Sequence, residues 1–193
     1  MSEPATDLAL EHRSGLPEAL RVLLSDYPRE AWNADPGFSA LIRFWLERHL
    51  MFRRLLAALE DATRTALDGE VDEVAYARQV SRYGGMFVGD LQGHHSIEDQ
   101  HYFPILKGLD ARLEPGFDML DRDHHVLDRH LDGFVESANG VLREDGTGGA
   151  ATDRVAAFHA SLSVMERFLD RHLVDEEELI VPVLLRHAPD GLV

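Results

Sequence analysis

The chain is 193 residues long, 45% apolar and 28% charged, with a formal charge of −16 and no cysteine. That length supports one well-buried core and is short for two. The acidic balance speaks against nucleic acid and anionic membranes, and without thiolates any metal must sit on nitrogen and oxygen ligands.

The N-terminal stretch "MSEPATDLALEHRSG" has no basic-then-apolar segment, and no run approaches the ~20 apolar residues of a membrane span. A cytoplasmic protein without membrane attachment is expected. Next comes "GLPEALRVLLSDYP", read as a short amphipathic helix with Leu16, Leu20, Leu23, Leu24 and Tyr27 on its apolar side. It is expected to pack across the longer helices downstream.

Four long segments then show apolar residues at helical spacing, separated by turn chemistry. The first runs from about Phe38 to Leu67 and stops near "LDGE". The second runs from about Asp72 to Leu109, and the third from about Gly116 to Arg143. The stretch "REDGTGGAATD" is the strongest loop signal and the expected mobile part. The fourth segment runs from about Thr152 to His187. No segment has strand period. The expectation is an all-α four-helix bundle over residues 37–193, with an N-terminal helical extension over residues 1–36.

The second and fourth segments carry the same motif. "HHSIEDQHYFPIL" begins at His94 and "HLVDEEELIVPVL" at His172. Each has a glutamate four residues on, an acid at five, a proline at ten and a leucine at twelve. These are Glu98, Asp99, Pro104 and Leu106, then Glu176, Glu177, Pro182 and Leu184. Residues four apart share a helical face, so each copy offers an imidazole beside a carboxylate. Random placement would give about 0.9 such pairs in the chain, but it would not repeat the acid, proline and leucine as well. Pro104 and Pro182 should each kink or end a helix.

The first and third segments add one histidine each to an apolar seam. Trp45, His49, Phe52, Leu56 and Leu59 have the same spacing as Leu120, His124, Leu127, Leu131 and Phe134. A lone histidine on such a stripe is more often a satisfied core residue, and a lone His-x-x-x-Glu pair is more often a surface pair. Four histidines and two glutamates predicted to face inward favour a metal. The six expected ligands are His49, His94, Glu98, His124, His172 and Glu176. His95 and His125 are set aside, as groups behind the ligands or at the surface, because their counterparts Leu173 and Leu50 cannot ligate. His101, His130, His159 and His187 match no pattern.

Six ligands suit two metals, with both glutamates bridging, two imidazoles on each ion, a bridging oxide or hydroxide and an open position. Imidazole with carboxylate favours iron among redox metals, with zinc or manganese as substitutes. The expected partner is then dioxygen, peroxide or nitric oxide.

The segments "RHLMFR", "HHSIEDQHYFPIL", "DRDHHVLDRHL" and "RHLVDEEELIVPVL" resemble the hemerythrin-like domains with a histidine–histidine–glutamate cation-binding motif. The resemblance spans about Phe38 to Leu185. It implies an up-down-up-down four-helix bundle around an oxo- or hydroxo-bridged di-iron centre that carries or senses oxygen, handles nitric oxide or peroxide, or responds to iron. Oxygen carriers of that family use five histidines, two of them four apart on the third helix. Here Leu120 and Asp128 flank His124 at that spacing, which turns the expectation from carriage toward oxidation or sensing. Two alternatives are a metal-dependent regulatory module without turnover and a ferritin-like di-iron carboxylate protein. The latter needs two Glu-x-x-His pairs, and the chain has only Glu98 with His101.

Overall fold

A computed structural model describes residues 8–143 and 149–187. Five α-helices and no strand occur among them: α1 Ala40–Leu67, α2 Glu73–Ile97, α3 Phe103–Lys107, α4 Glu114–Val141 and α5 Gly149–His187. The fold is all-helical, as the apolar periodicity requires. Of the predicted loop, residues 144–148 lie outside the described residues, whereas residues 149–153, read as loop from their glycine and small polar content, already belong to α5.

Local chemistry accounts for the boundaries. Ser39 Oγ accepts the Ile42 N–H at 3.3 Å, and Asp72 Oδ1 accepts the Ala75 N–H at 2.9 Å, so α1 and α2 each begin on a side-chain cap. At the end of α1, Gly69 takes φ 73°, which only glycine adopts without strain. Its N–H reaches Ala66 O and the Glu70 N–H reaches Thr65 O, the paired bonds of a Schellman turn. That is the stop predicted at "LDGE".

The two prolines behave differently. Ahead of Pro104, α2 gives way to a single π turn, Glu98–Tyr102, and α3 restarts with the proline in its first turn. A π turn inserts one residue into the helix, a feature often found at functional sites. Pro182 breaks nothing: α5 runs on to His187. An interior proline costs about 3 kcal/mol. The unbroken buried run Leu179–Leu185 offsets this, because its apolar side chains are in the core whether or not one backbone bond is made.

The chain divides into two compact units, and each long helix contributes one stretch to each. The first unit comprises described residues 8–49, 95–125 and 170–187; the second comprises 50–94 and 126–169. In the second, four phenylalanines, one per helix, form a chain through the core. Phe52, Phe87, Phe134 and Phe158 follow one another at ring separations of 6.4, 5.4 and 5.3 Å. These distances suit tilted and edge-on aromatic packing. In the first, Leu16, Leu20, Leu23 and Trp32 of the extension join Ile42, Phe103, Phe117, Leu120 and Leu184 in one apolar cluster. Packing of the helical stretches within each unit is consistent with a bundle.

The extension is helical in a different form from the predicted amphipathic helix. It contains the short 3₁₀ turns Glu18–Leu20 and Arg29–Ala34, each entered from a proline, Pro17 and Pro28. Between prolines 11 residues apart, few residues remain to propagate an α-helix. Of its expected apolar residues, Leu16, Leu20 and Leu23 are buried all the same, and Leu24 and Tyr27 partly so.

Candidate metal centre

All ten seam positions are buried. Trp45, His49, Phe52, Leu56 and Leu59 on α1, and Leu120, His124, Leu127, Leu131 and Phe134 on α4, lie in the core. His49 and His172 are fully excluded from solvent, as are Glu98 and Glu176. Within the first unit two sets of side chains bring ligand atoms within 4.8 Å of one another: His95 with His124 and His172, and His49 with Glu98 and Glu176.

The glutamates face imidazoles of both sets. Glu176 Oε2 stands 3.4 Å from His172 Nε2 and 3.6 Å from His49 Nε2. Glu98 Oε2 stands 3.6 Å from His124 Nε2. Two ligand atoms each about 2.0–2.2 Å from a shared ion stand roughly 3–3.6 Å apart, so these gaps suit coordination. The Nε2 atoms of His124 and His172 are buried and make no hydrogen bond among the described residues. A buried polar atom left so costs free energy, and a cation is the partner that both geometry and charge provide for.

On the far side of each ring the pattern is complementary. His49 Nδ1 bonds Glu177 Oε1 at 3.0 Å, His124 Nδ1 bonds Asp99 Oδ1 at 2.8 Å, and His172 Nδ1 bonds Asp123 Oδ2 at 3.3 Å. A carboxylate only accepts, so in the neutral ring the proton sits on Nδ1 and the lone pair on Nε2 points at the glutamates. Metal-binding histidines are held in this way, which fixes the tautomer and raises ligand basicity. The acid at the fifth position of each motif copy thereby acquires a role. Asp99, from the second segment, orients His124 of α4; Glu177 of α5 orients His49 of α1.

Electrostatics point the same way. Burial, with the charge of neighbouring Glu176 added, pushes the Glu98 carboxyl well above the usual carboxylate range. Burial opposes charge on His172, but the neighbouring carboxylates of Asp123 and Glu176 prevail and raise it to about 9. Both shifts favour the protonated form of the group when no cation is bound.

His95 is where the sequence expectation and the structure part. Motif spacing places it behind the ligands or at the surface. Instead it is buried, stacked on His124 at 4.0 Å and edge-on to His172 at 5.6 Å. The comparison between motif copies eliminates it because Leu173 occupies its counterpart. A signal is present nonetheless: His95 precedes Glu98 by three residues, which also shares a helical face. His94, on the preceding position, is half-buried with its ring 5.2 Å from Phe52. His125, Asp128 and His101 are exposed. The exposure of His101 removes the one Glu-x-x-His pair that a ferritin-like site would use. His159 hydrogen-bonds Glu60 at 2.8 Å and His130 stacks on Phe168, both ordinary packing roles.

Replacing Asp99 by leucine should weaken metal binding about 10–100-fold, the effect typical of losing a carboxylate behind a ligating imidazole. Asp99→Asn, whose amide oxygen still accepts a hydrogen bond, should lose less. Metal titration of the three proteins checks this, and equal affinities would remove Asp99 from the site.

A family model described as hemerythrin HHE cation binding domain matches residues 40–184, well over half of the chain. Comparison with curated proteins and with solved structures gives no match. No helix among the described residues is long and apolar enough to cross a membrane.

Proposed function

This chain belongs to the hemerythrin HHE cation-binding family, and from that premise we propose that it holds two iron ions and uses them on dioxygen, peroxide or nitric oxide. His95, His124 and His172 hold one ion, His49 and His94 the other, and Glu98 and Glu176 serve both. The set contains the six residues expected from sequence, with His95 added. Support comes chiefly from the three imidazoles backed by carboxylates whose Nε2 atoms face two buried glutamates.

When bound, a redox-active pair supplies electrons and positions for a small ligand. The residues of this chain supply the rest. Asp99, Asp123 and Glu177 keep His124, His172 and His49 in the ligating tautomer. Trp45 donates its indole N–H to Glu176 Oε1 at 2.6 Å and so fixes the plane of that carboxylate. Phe103, with its ring 5.5 Å from His124, and Phe117 next to it keep water from that side. Five imidazoles restore the number that the six expected ligands left one short of an oxygen carrier, so reversible binding regains weight beside oxidation and sensing.

The test is to purify the protein anaerobically with its native metal, then record iron content and absorption before and after adding oxygen, peroxide and nitric oxide. We expect about two irons per chain and a charge-transfer band that responds to at least one of these. A single change of the band without turnover marks a sensor or carrier, and repeated turnover marks an enzyme. A colourless protein with tightly held zinc would refute the iron reading and leave a structural or regulatory module.

A further inference from the structure

The extension ahead of α1 reaches the metal centre through two arginines. Arg13 is buried, with its side chain only 3% exposed. Its guanidinium donates to both carboxylate oxygens of Asp123, one of them at 2.8 Å, and its Nε donates to Asp175 Oδ2 at 2.7 Å. Asp123 is the carboxylate behind His172. Arg29 Nη1 donates to Glu177 Oε2 at 2.6 Å, and the other oxygen of Glu177 is the one behind His49. Two relays of one design therefore run inward: Arg13–Asp123–His172 and Arg29–Glu177–His49. They end on histidines of the two different ligand sets.

The extension is anchored so that the relays hold their geometry. Arg171 donates to the Ser14 carbonyl at 2.8 Å and to Asp175 at 2.5 Å, tying the chain beside Arg13 to α5. Arg13 itself donates to Leu8 O at 2.8 Å. Farther along, the Arg29 guanidinium lies 4.7 Å above the Trp32 ring, and Trp32 donates to Tyr27 O at 2.8 Å. Burying an arginine is unfavourable unless its charge is matched, and a residue merely closing an apolar core would not carry one. The matched family stretch begins at residue 40, so both arginines come from outside it.

We propose that the N-terminal extension is a two-pronged clamp on the metal centre, with Arg13 and Arg29 as positioning residues that set how firmly His172 and His49 hold their respective ions. Each arginine fixes its carboxylate in one orientation, and the carboxylate fixes the imidazole. A planar guanidinium does this better than an ammonium, because its forked donors specify direction as well as charge. The inference rests on the metal-site reading above.

The experiment loads wild type, Arg29→Met, Arg29→Lys and Arg13→Met with ferrous iron anaerobically. It then follows iron loss to a chelator, and the melting of each metal-free protein. Wild type should release its ions in two phases. Arg29→Met should speed one phase about 10-fold and Arg13→Met the other, with Arg29→Lys between wild type and Arg29→Met. The Arg29 side chain is 44% exposed, so its loss does not threaten folding even if Arg13→Met fails to fold. Adding Arg29→Met to Glu177→Leu should change the release rate little further, since the arginine acts through that carboxylate. Full additivity of the pair would overturn the relay. So would unchanged release in Arg29→Met, with or without a lower melting point of the metal-free form. A wild type that takes up no iron would sink the metal-site reading and the clamp together, whereas a wild type that binds iron beside indifferent arginine variants would sink the clamp alone.

Discussion

Glu176→Ala should strip iron from both positions, where His49→Ala should strip chiefly one. The Glu176 carboxylate lies 3.4 Å from His172 Nε2 in one ligand set and 3.6 Å from His49 Nε2 in the other. Its second oxygen is held by the Trp45 indole. Truncation removes a ligand facing both sets and leaves the indole N–H with no acceptor there. Losing an outer partner of a ligand already costs about 10–100-fold in affinity, so a shared ligand should cost more than roughly 100-fold at each ion. Loss of fold is a separate matter. Glu176→Gln keeps the shape of the side chain and an oxygen to accept the Trp45 indole N–H, so the metal-free variant should still fold while binding far less iron. Metal analysis of both variants after gel filtration decides it; a Glu176→Ala protein with wild-type metal content would contradict the shared-ligand role.

The contrast between what this sequence discloses and what it conceals has a physical basis. Helical periodicity is local, and so is the spacing His-x-x-x-Glu; both can be read in a window of a dozen residues. That is why the ten seam positions are legible, and why α1 ends where "LDGE" predicts. The acids at the fifth motif position are legible as a pattern but not as a function, because the imidazoles they orient stand on other helices. His95 is concealed by the duplication itself. Treating the two motif copies as equivalents rewards shared positions, yet the site departs from that symmetry: α2 brings two adjacent histidines, and α5 brings one beside a buried leucine. The π turn starting at Glu98 is a second departure, absent from the other copy. Arg13 and Arg29 are illegible for a different reason. Their acceptors Asp123, Asp175 and Glu177 lie 110, 162 and 148 residues away in the chain, and such pairings leave no periodic trace. Both arginines flank the segment read as an amphipathic helix, residues 15–28, and there an arginine reads simply as a solvated charge.

Removing the metal should cost this protein little stability in mild acid and much more in mild alkali. The ordinary value for His172 is 6.5, and in the metal-free fold it rises to about 9. A group raised in this way stabilises the fold fully below its unfolded value and loses that contribution as pH climbs through the folded one. The metal-free protein should therefore weaken between about 6.5 and 9. Glu98 carries the same sign, because its carboxyl also binds its proton more tightly when folded. Metal binding runs the other way. Ligating imidazoles and carboxylates must give up their protons, so each ion loaded expels protons and affinity grows with pH until they are gone. At free metal about 1,000 times the dissociation constant, binding adds roughly 4 kcal/mol to stability. Each kcal/mol moves the melting point of a domain this size by about 2–4 °C. The gap between melting points with and without chelator should thus widen steadily from pH 6.5 to pH 9. Loading iron in weak buffer near neutrality should acidify it. A metal-free form whose stability holds level or improves over that interval, or loading that releases no protons, would mean that His172 and Glu98 are not the groups whose protons the metal displaces.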